Sequence, residues 1–255
     1  MSDQVAIFGD CHGQSGMLEE LLIKIRDEAP KSQIYTCGDL IDRGPDSYGV
    51  IDLCIKYEVK GCYGNHEIWM KSLVEDRVFD SMALTKLMGG KETFRSYSVM
   101  DFSNETDAAI EFLDSIPQDH KDYLKSLKPY LKIEVDGWKY WLIHAGLSNK
   151  AASYIKSTND DISDDELMRL IVSTGSCEDF LMWPSPPLGN RFRPSHGMYV
   201  FKEGTQILGH KPLKSPIVNN DFIALDTGCG TCHPNKISAI LLPSKKIIQV
   251  ENEYS

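Results

Sequence analysis

The sequence predicts an α/β fold with a parallel sheet, because short apolar runs alternate with helical patterns in its first third. The helical patterns lie at 18–25 and 47–57, where apolar residues recur every three or four positions. The order strand, helix, strand, helix, strand implies parallel strands joined by right-handed crossovers. The three apolar runs of strand length are 4–9, 32–38 and 59–64.

The middle of the chain, at about 68–129, carries helical patterns and many charges but no convincing strand pair. We therefore expect a helical insertion or lid there. Strand patterns return with the runs 132–135 and 138–143, which are separated by Asp136-Gly137. Asp-Gly favours the two-residue turn of a β-hairpin, so these two runs are expected to pair.

The last third combines one further helix with several short strands. Ser163 and Glu166 have the spacing of a capping box and predict a helix start. The Pro- and Gly-rich stretch 183–197 predicts a loop. We expect the whole chain, 1–255, to form one domain. The strand-like runs of this part are 205–209, 222–226, 236–242 and 246–251.

Composition excludes several classes of function. The net charge of −10 disfavours binding to nucleic acid through its phosphates. No run approaches the roughly 20 apolar residues that cross a bilayer, and the N-terminus lacks a signal-peptide pattern. The seven cysteines are scattered, so free thiols in the cytoplasm are expected. No nucleic-acid or membrane partner is expected, and the sequence leaves the oligomeric state open.

Five of the apolar runs end in polar clusters flanked by glycine. The carboxyl ends of parallel strands lie at one edge of a sheet, so the clusters of the first three runs are expected to converge. Their histidines, aspartates and asparagine form a mixed nitrogen and oxygen ligand set, which suits Mn, Fe or Zn and is large enough for two ions that share a carboxylate. The clusters are Gly9-Asp10-Cys11-His12-Gly13, the stretch 38–44, Gly64-Asn65-His66-Glu67, His144-Ala145-Gly146 and Gly209-His210.

Arg43 adds a cation to this predicted centre. A guanidinium beside two metals suits a phosphate or sulfate dianion, and the combination indicates in-line displacement by a metal-activated water. Taken singly, each residue has an ordinary alternative: a strand-end aspartate is usually a turn residue, and Arg43 has Asp42 as a local ion-pair partner. The five clusters together favour the metal centre.

The motifs also match a known family in their order. They are GDCHG at 9–13, GDLIDRG at 38–44, GNHE at 64–67, HAG at 144–146 and GH at 209–210. With them the chain resembles the calcineurin-like metallophosphoesterases, and more narrowly the small bacterial and phage type of serine/threonine phosphoprotein phosphatases. The resemblance implies a metallophosphoesterase-like β-sandwich flanked by helices (α/β/β/α), with the closing hairpin in its second sheet.

The resemblance also implies a role for each motif residue. Two divalent metal ions would be bound, with Mn the first choice and Fe or Zn the alternatives. Arg43 would hold the substrate phosphate with help from Asn65. His66 would act as general acid, with Asp42 orienting it. The implied metal ligands are Asp10 and His12 for the first ion, Asp39 as the bridge, and Asn65, His144 and His210 for the second.

Two stretches depart from the family pattern. Relatives usually bring a second arginine to the phosphate from the loop after a tryptophan, but here Ser185 stands at that position after Trp183. Arg191 or Arg193 is the candidate substitute; the alternative is that both are exposed loop charges. The stretch 229–233 matches the haem-attachment pattern C-x-x-C-H, which we reject because no export signal is present. A redox-active pair of Cys229 and Cys232, or two inert thiols, remain.

The sequence leaves three functions to compare. The first is hydrolysis of phosphomonoesters, in phosphoserine or phosphothreonine proteins or in small phosphoesters, by direct attack of a two-metal-activated water. The second is hydrolysis of a phosphoanhydride in a symmetrical dinucleoside tetraphosphate. The third is a non-catalytic scaffold, which the intact motifs disfavour. Cys11 is not needed as a ligand, so we expect its side chain to pack beneath the site.

Overall fold

The computed structural model describes residues 4–156, 162–174, 177–182, 197–231 and 235–252. In these parts the chain forms two five-stranded sheets with helices around them. The strands are β1 Val5–Phe8, β2 Gln33–Thr36, β3 Lys60–Gly61, β4 Leu131–Val135, β5 Trp138–Leu142, β6 Thr205–Leu208, β7 Ile217–Val218, β8 Phe222–Ala224, β9 Lys236–Leu242 and β10 Lys246–Glu251. The helices are α1 Ser15–Glu28, α2 Ser47–Lys56, α3 Glu67–Asp76, α4 Gly90–Ser96, α5 Glu105–Ser115, α6 Gln118–Ser126, α7 Asn149–Lys156, α8 Asp164–Ser173 and α9 Cys177–Leu181, with a 3-10 turn at Ser81–Leu84.

The first sheet begins as the sequence predicts. β1, β2 and β3 are parallel neighbours, with α1 and α2 as the crossovers. β3 is shorter than the predicted run 59–64, because pairing with β2 ends at the Cys62 amide, which donates to the Thr36 carbonyl at 3.2 Å. Beyond that point Cys62 bridges to Lys128, and the Tyr63 amide donates to the Lys128 carbonyl at 3.0 Å.

The closing hairpin corrects the expectation that it would belong to the second sheet. β9 pairs antiparallel with β1, and the first sheet runs β10-β9-β1-β2-β3. All four residues of β1 are buried, as are six of the seven residues of β9. Such continuously apolar strands need neighbours on both edges and cover on both faces. The first sheet is therefore mixed rather than purely parallel.

The second sheet runs β4-β5-β6-β8-β7. The predicted hairpin of β4 and β5 is confirmed, and Asp136 and Gly137 have φ angles of 50° and 74° at its turn. Positive φ at both positions is typical of the type I′ turn. β5, β6 and β8 are parallel, so their carboxyl ends lie at one edge of this sheet.

The apolar core lies between the two sheets and between the sheets and the helices. Ile7 and Ile240 of the first sheet share one buried cluster with Leu142 and Ile207 of the second. The alternate β1 residue Phe8 faces the other way and packs in the cluster that contains the buried stripe of α1. On the far side, Trp141 of β5 belongs to a cluster with residues of α7 and α8, which gives the predicted order helix, sheet, sheet, helix. These residues are Ile155, Leu167 and Ile171.

Helices α3 to α6 fill the segment between β3 and β4, around a group of aromatic side chains. Phe94 of α4 stacks on Phe112 of α5 with ring centroids 4.2 Å apart, and Trp69 of α3 stacks on Phe94 at 5.5 Å. Further along, the Ser163 hydroxyl accepts from the Glu166 amide at 3.2 Å and caps α8 as predicted. Of the helices in the described ranges, none is long and apolar enough to cross a membrane.

Truncating the core between the sheets tests this packing. We expect Ile240→Ala to lower the free energy of unfolding by about 2 to 5 kcal/mol, because it removes a fully buried side chain and leaves a cavity. The matched control is Ile23→Ala on α1, where Ile23 is 48% exposed and the loss should stay below about 0.5 kcal/mol. Urea denaturation measures both, and equal losses would contradict a core at this place.

Candidate metal centre

The predicted ligands come together where strands of the two sheets end. Asp10 and His12 follow β1, Asp39 follows β2, and Asn65 follows β3. His144 and His210 follow β5 and β6 in the second sheet. Five of these six residues are buried, and His210 is partly buried. The two sheets of the sandwich therefore contribute to one site at a shared edge.

Two groups of side chains offer ligand atoms within 4.8 Å of one another. The first comprises His12, Asp39 and His66, and the second comprises Asp39, His144 and His210. Asp39 is common to both, which is the arrangement that a carboxylate bridging two ions requires. His66, which the sequence predicted as general acid, lies in the first group, with its ring centroid 4.7 Å from that of His12.

Backbone carbonyls fix the tautomers of two histidines. Nδ1 of His12 lies 3.0 Å from the carbonyl oxygen of Ile41, and Nδ1 of His144 lies 2.9 Å from that of Cys37. A carbonyl only accepts, so Nδ1 donates in both rings and Nε2 is the nitrogen that faces the site. A hydrogen bond from the ring nitrogen that does not bind the metal commonly orients metal-binding histidines in proteins. Both Nε2 atoms face Asp39, at 3.7 Å from His12 and 3.3 Å from His144.

Asn65 and Asp10 follow strands of the first sheet, and they contact the histidines that follow strands of the second. The side-chain oxygen of Asn65 is 3.1 Å from Nε2 of His144 and 2.9 Å from Nδ1 of His210. Both carboxylate oxygens of Asp10 accept from the backbone amide of His210 at 3.0 Å. Asp10 is outside the two groups of close ligand atoms, so its predicted role as a metal ligand stays a prediction.

Burial and charge set the protonation of the ligand set. Burial lowers the pKa of both His12 and His210 to about 3, so these rings are neutral at pH 7, as metal ligation requires. Burial alone would raise the pKa of Asp39, but the nearby His144 and His66 lower it well below its usual range. Burial and the charges of Asp226 and Asp39 raise the pKa of Asp10.

His66 and Asp42 form the pair that the sequence predicted. Nδ1 of His66 lies 2.9 Å from Oδ2 of Asp42. Burial by itself would lower the pKa of His66, but the carboxylates of Asp39 and Asp42 raise it. Among the residues that the structure describes, Nε2 of His66 is buried and has no hydrogen-bond partner. A buried nitrogen in this state is oriented by Asp42 and is available to a ligand or substrate.

Arg43 is held beside the first group. Its Nη1 donates to Nε2 of His12 at 2.8 Å, and its backbone amide donates to the Gly89 carbonyl at 3.1 Å. The guanidinium thus lies among the predicted ligands, where an anion would contact both Arg43 and the bound metal ions. The other candidate arginines, Arg191 and Arg193, lie outside the described residues, as do Cys232 and His233 of the C-x-x-C-H pattern.

Backbone geometry at the site is unusual. Five of the predicted site residues adopt the left-handed region, which non-glycine residues rarely enter and which clusters at functional sites. Two glycines allow close approach: a Cβ on Gly64 would lie 2.1 Å from Oδ1 of Asp39, and one on Gly209 would lie 2.0 Å from Oδ1 of Asp10. The residues with positive φ are His12, Asp39, Asp42, Arg43 and His210.

Sequence reasoning missed two buried carboxylates at the site. Oε2 of Glu67 accepts from the backbone amides of Asp39 at 2.9 Å and Gly64 at 2.7 Å. Oε1 accepts from Leu40 at 2.8 Å and more weakly from the following residue. Glu67 was visible as the last letter of GNHE, without an assigned role. Asp226 follows β8 as the other site residues follow their strands, and that shared position was its signal.

Cys11 packs beneath the site as the sequence predicted. Its side chain is fully buried in the apolar cluster on the α1 side of the first sheet, and its thiol donates weakly to the Leu40 carbonyl at 3.5 Å. Burial raises the pKa of the Cys11 thiol well above its usual range. The thiol of Cys229 is also buried, and its pKa is likewise raised, chiefly by burial. Neither environment favours a reactive thiolate.

The donor set fits a pair of divalent ions. Imidazoles with oriented Nε2 atoms, a shared carboxylate and an amide oxygen are ligands that first-row metals accept. Burial by itself would lower the pKa of His144, but Asp39 raises it to about 10, so this ring would release a proton when it binds a metal. The unpartnered Nε2 of His66 and the glycine at position 64, where a Cβ would fill the space beside Asp39, also suit a ligand-filled site. The arrangement is able to bind two ions close together with an oxyanion beside Arg43.

Comparison with known proteins agrees with this geometry. The sequence model of the calcineurin-like phosphoesterase family matches residues 4–212. The asymmetrical bis(5'-nucleosyl)-tetraphosphatase PrpE of Oceanobacillus iheyensis is 25% identical over 259 residues, which cover 97% of this chain and 92% of that protein. Serine/threonine-protein phosphatase 1 of Salmonella typhimurium is 34% identical over 90 residues, which cover 35% of this chain and 40% of that protein.

A solved structure shares the fold. The crystal structure of a candidate diadenosine tetraphosphatase superposes with a TM-score of 0.62 at 21% identity, and covers 99% of this chain and 95% of that chain. The architecture of two sheets flanked by helices is therefore the metallophosphoesterase fold.

Filling the space at Gly209 tests the position of Asp10. We expect Gly209→Ala to weaken binding of Mn²⁺ or Zn²⁺ by about tenfold or more, because the new methyl group would displace the Asp10 carboxylate. Calorimetry on metal-stripped protein measures the affinity. Gly16→Ala is the matched control, since nothing lies within 4 Å of its added methyl group. Unchanged affinity in Gly209→Ala would remove Asp10 from the ligand set.

Replacing Glu67 tests the link that it makes between two loops. Glu67→Gln should lower the free energy of unfolding of metal-free protein by about 2 to 3 kcal/mol, because an amide nitrogen would face backbone amides that now meet a carboxylate. Glu20→Gln is the control, where an exposed pair with Lys24 is lost and the change should stay below about 1 kcal/mol. Chemical denaturation gives both values; equal stability of Glu67→Gln and wild type would refute the role.

Proposed function

The chain belongs to the calcineurin-like phosphoesterase family, and on this premise we propose that it hydrolyses the phosphoanhydride chain of dinucleoside tetraphosphates. The observation that carries the choice of substrate is coverage. The similarity to a bis(5'-nucleosyl)-tetraphosphatase extends over 97% of this chain, whereas the similarity to a protein phosphatase covers 35%. Both kinds of phosphoesterase share the metal-binding motifs, so the choice between the two substrates would depend on the rest of the chain.

We propose that two divalent ions bind at the site, with manganese the first choice. Their ligands are residues that follow the strands, with Asp39 as the bridge. His66 lies close enough to be a ligand, but it is assigned to proton donation because Asp39 and Asp42 raise its pKa, which favours the protonated ring. When bound, such ions supply Lewis acidity that lowers the pKa of water and offsets the charge of phosphate. The proposed ligands are Asp10, His12, Asp39, Asn65, His144 and His210.

Arg43 and Asn65 are proposed to hold the phosphoryl group. The Arg43 guanidinium reaches Nε2 of His12, so an oxyanion beside this imidazole would lie within its range. A guanidinium offers two parallel donors to such an anion. The Asn65 amide lies between the two histidines from the second sheet and has donors of its own on the side-chain nitrogen.

His66 is proposed to act as the general acid. A water oxygen attacks phosphorus, the bond from phosphorus to the bridging oxygen breaks, and the proton on Nε2 of His66 passes to that departing oxygen. Nδ1–H of His66 donates to Oδ2 of Asp42 throughout, at 2.9 Å between the heavy atoms, which keeps Nε2 directed at the site. The attacking water releases a proton to solvent, and the neutral His66 that results takes one up from solvent.

The helical segment, 68–129, is proposed to be part of one domain with the rest of the chain. Its residue Gly89 accepts from the Arg43 amide at 3.1 Å, so this segment forms a wall beside the phosphate position. A wall there would contact whatever group the phosphate carries, which makes it a candidate for substrate selection. Arg191, proposed as a further phosphate ligand, lies outside the described residues.

Dephosphorylation of phosphoserine or phosphothreonine in proteins is the second candidate. The 34% identity to a serine/threonine-protein phosphatase over 90 residues supports it. The two metal ions and the residues that hold the phosphate would serve both reactions equally. The metal centre therefore does not discriminate between the two substrates.

Rates on matched substrates test the proposal. We expect kcat/KM to be at least about tenfold higher for diadenosine tetraphosphate than for a phosphothreonine peptide. The reason is that contacts with the nucleotide groups of the preferred substrate would stabilise its transition state. Product analysis then locates the cleaved bond: symmetrical hydrolysis gives two nucleoside diphosphates, and asymmetrical hydrolysis gives a mono- and a triphosphate. Preference for the phosphopeptide would replace the first candidate with the second.

Two controls accompany this comparison. Asp39→Asn and a chelator should each abolish turnover of both substrates, because the proposed bridge and its ions serve either reaction. Arg77→Ala, an exposed arginine at the end of α3 and away from the metal-binding motifs, should leave the rates unchanged. Turnover that survives Asp39→Asn and chelation would eliminate the metal-dependent mechanism.

A further inference from the structure

A hydroxyl from the helical segment contacts the carboxylate of Asp42. Oγ1 of Thr93, on α4, donates to Oδ1 of Asp42 at 2.7 Å and accepts from the backbone amide of Asp42 at 3.0 Å. Ser47 supports it, with its hydroxyl 2.9 Å from that of Thr93. Thr93 and Asp42 are both fully buried. One hydroxyl therefore binds both ends of the same residue.

The other carboxylate oxygen of Asp42 has its own partners. Oδ2 accepts from Nε1 of Trp69 at 3.1 Å and lies 2.9 Å from Nδ1 of His66. With Thr93 on Oδ1 and Trp69 and His66 on Oδ2, rotation of the carboxylate would break hydrogen bonds in a buried place. Buried groups that lose their partners pay a desolvation penalty, so the orientation is strongly fixed.

We propose that Thr93 is a positioning residue for proton donation by His66. This inference rests on the proposed hydrolytic function and on the role of His66 within it, and it extends that role to a residue of the helical segment. By fixing Oδ1, Thr93 keeps Oδ2 aimed at Nδ1 of His66, and the unpartnered Nε2 on the far side of the ring stays aimed at the site.

The position of Thr93 itself is fixed by packing. Its neighbour Phe94 stacks on both Phe112 and Trp69, so α4 is held against α3 and α5. The same Trp69 donates to Asp42, which joins the aromatic cluster to the proton donor. The packing of the helical segment therefore holds Thr93 rigidly beside Asp42.

The dependence of rate on the leaving group separates this role from a merely structural one. As the phosphorus–oxygen bond breaks, a poor leaving group such as an alkoxide needs the proton of His66. A good one such as p-nitrophenolate departs without it. A defect in proton donation therefore grows as the leaving group becomes more basic, whereas a general loss of structure lowers all rates alike.

The variants are Thr93→Val, which keeps the shape and removes the hydroxyl, and Thr93→Ser, which restores it. We expect Thr93→Val to lower kcat by about tenfold or more on an alkyl phosphate and by less than about twofold on p-nitrophenyl phosphate. Thr93→Ser should recover most of the loss. Thr106→Val, at an exposed position on α5, is the matched control and should match wild type on both substrates.

A second comparison uses the background in which His66 is replaced. Adding Thr93→Val to His66→Gln should cause no further loss on the alkyl phosphate, because Thr93 acts through His66. Equal losses on both leaving groups, or a full further loss in the His66→Gln background, would overturn the inference while leaving the hydrolytic function in place. A wild-type protein with no turnover on any phosphoester or phosphoanhydride would overturn both.

Discussion

The carboxylate of Glu67 is the constraint on which the rest of the site depends. It is fully buried, and it binds the backbone amides that follow β2 and the amide of Gly64 that follows β3. Neither loop is able to move without leaving a charge or an amide unpaired in the interior, which is strongly unfavourable. Asp39 sits in one of these loops and Asn65 and His66 in the other. The distance from Asp39 to Asn65 and His66 is therefore set by a residue that lies outside the proposed ligand set.

The local part of the site could be predicted from the sequence because each contribution is written within a few residues. An apolar run that ends in Asp or His beside a glycine marks Asp10, Asp39 and His144 as candidates, and the recurrence of this pattern at five strand ends favours a shared site. Thr93 could not be found in this way. It lies 51 residues from Asp42 within a helical pattern, and only tertiary packing makes the two meet. Distant pairing of this kind has no local signature.

Sheet membership was unpredictable for a related reason. The pattern of β9 and β10 specifies a hairpin with a buried strand, but any sheet with an open edge satisfies that pattern. The first sheet accepted the hairpin because β1 is apolar throughout. The consequence reaches the site, since β9 closes the edge of β1 and the second sheet is left with β6 and β8 in parallel beside β5. That arrangement delivers His144, His210 and Asp226 to one edge.

The left-handed backbone at five site residues sets the side chains of the site against the stability of the fold. A non-glycine residue in that region costs of order 1 to 3 kcal/mol, and His12, Arg43 and His210 all accept it. Glycine at any of these places would relax the chain and erase a functional side chain at once. Such substitutions would keep the sandwich fold and remove groups on which the proposed reaction depends. The five side chains are thus held at a cost in stability that the sandwich fold by itself does not require.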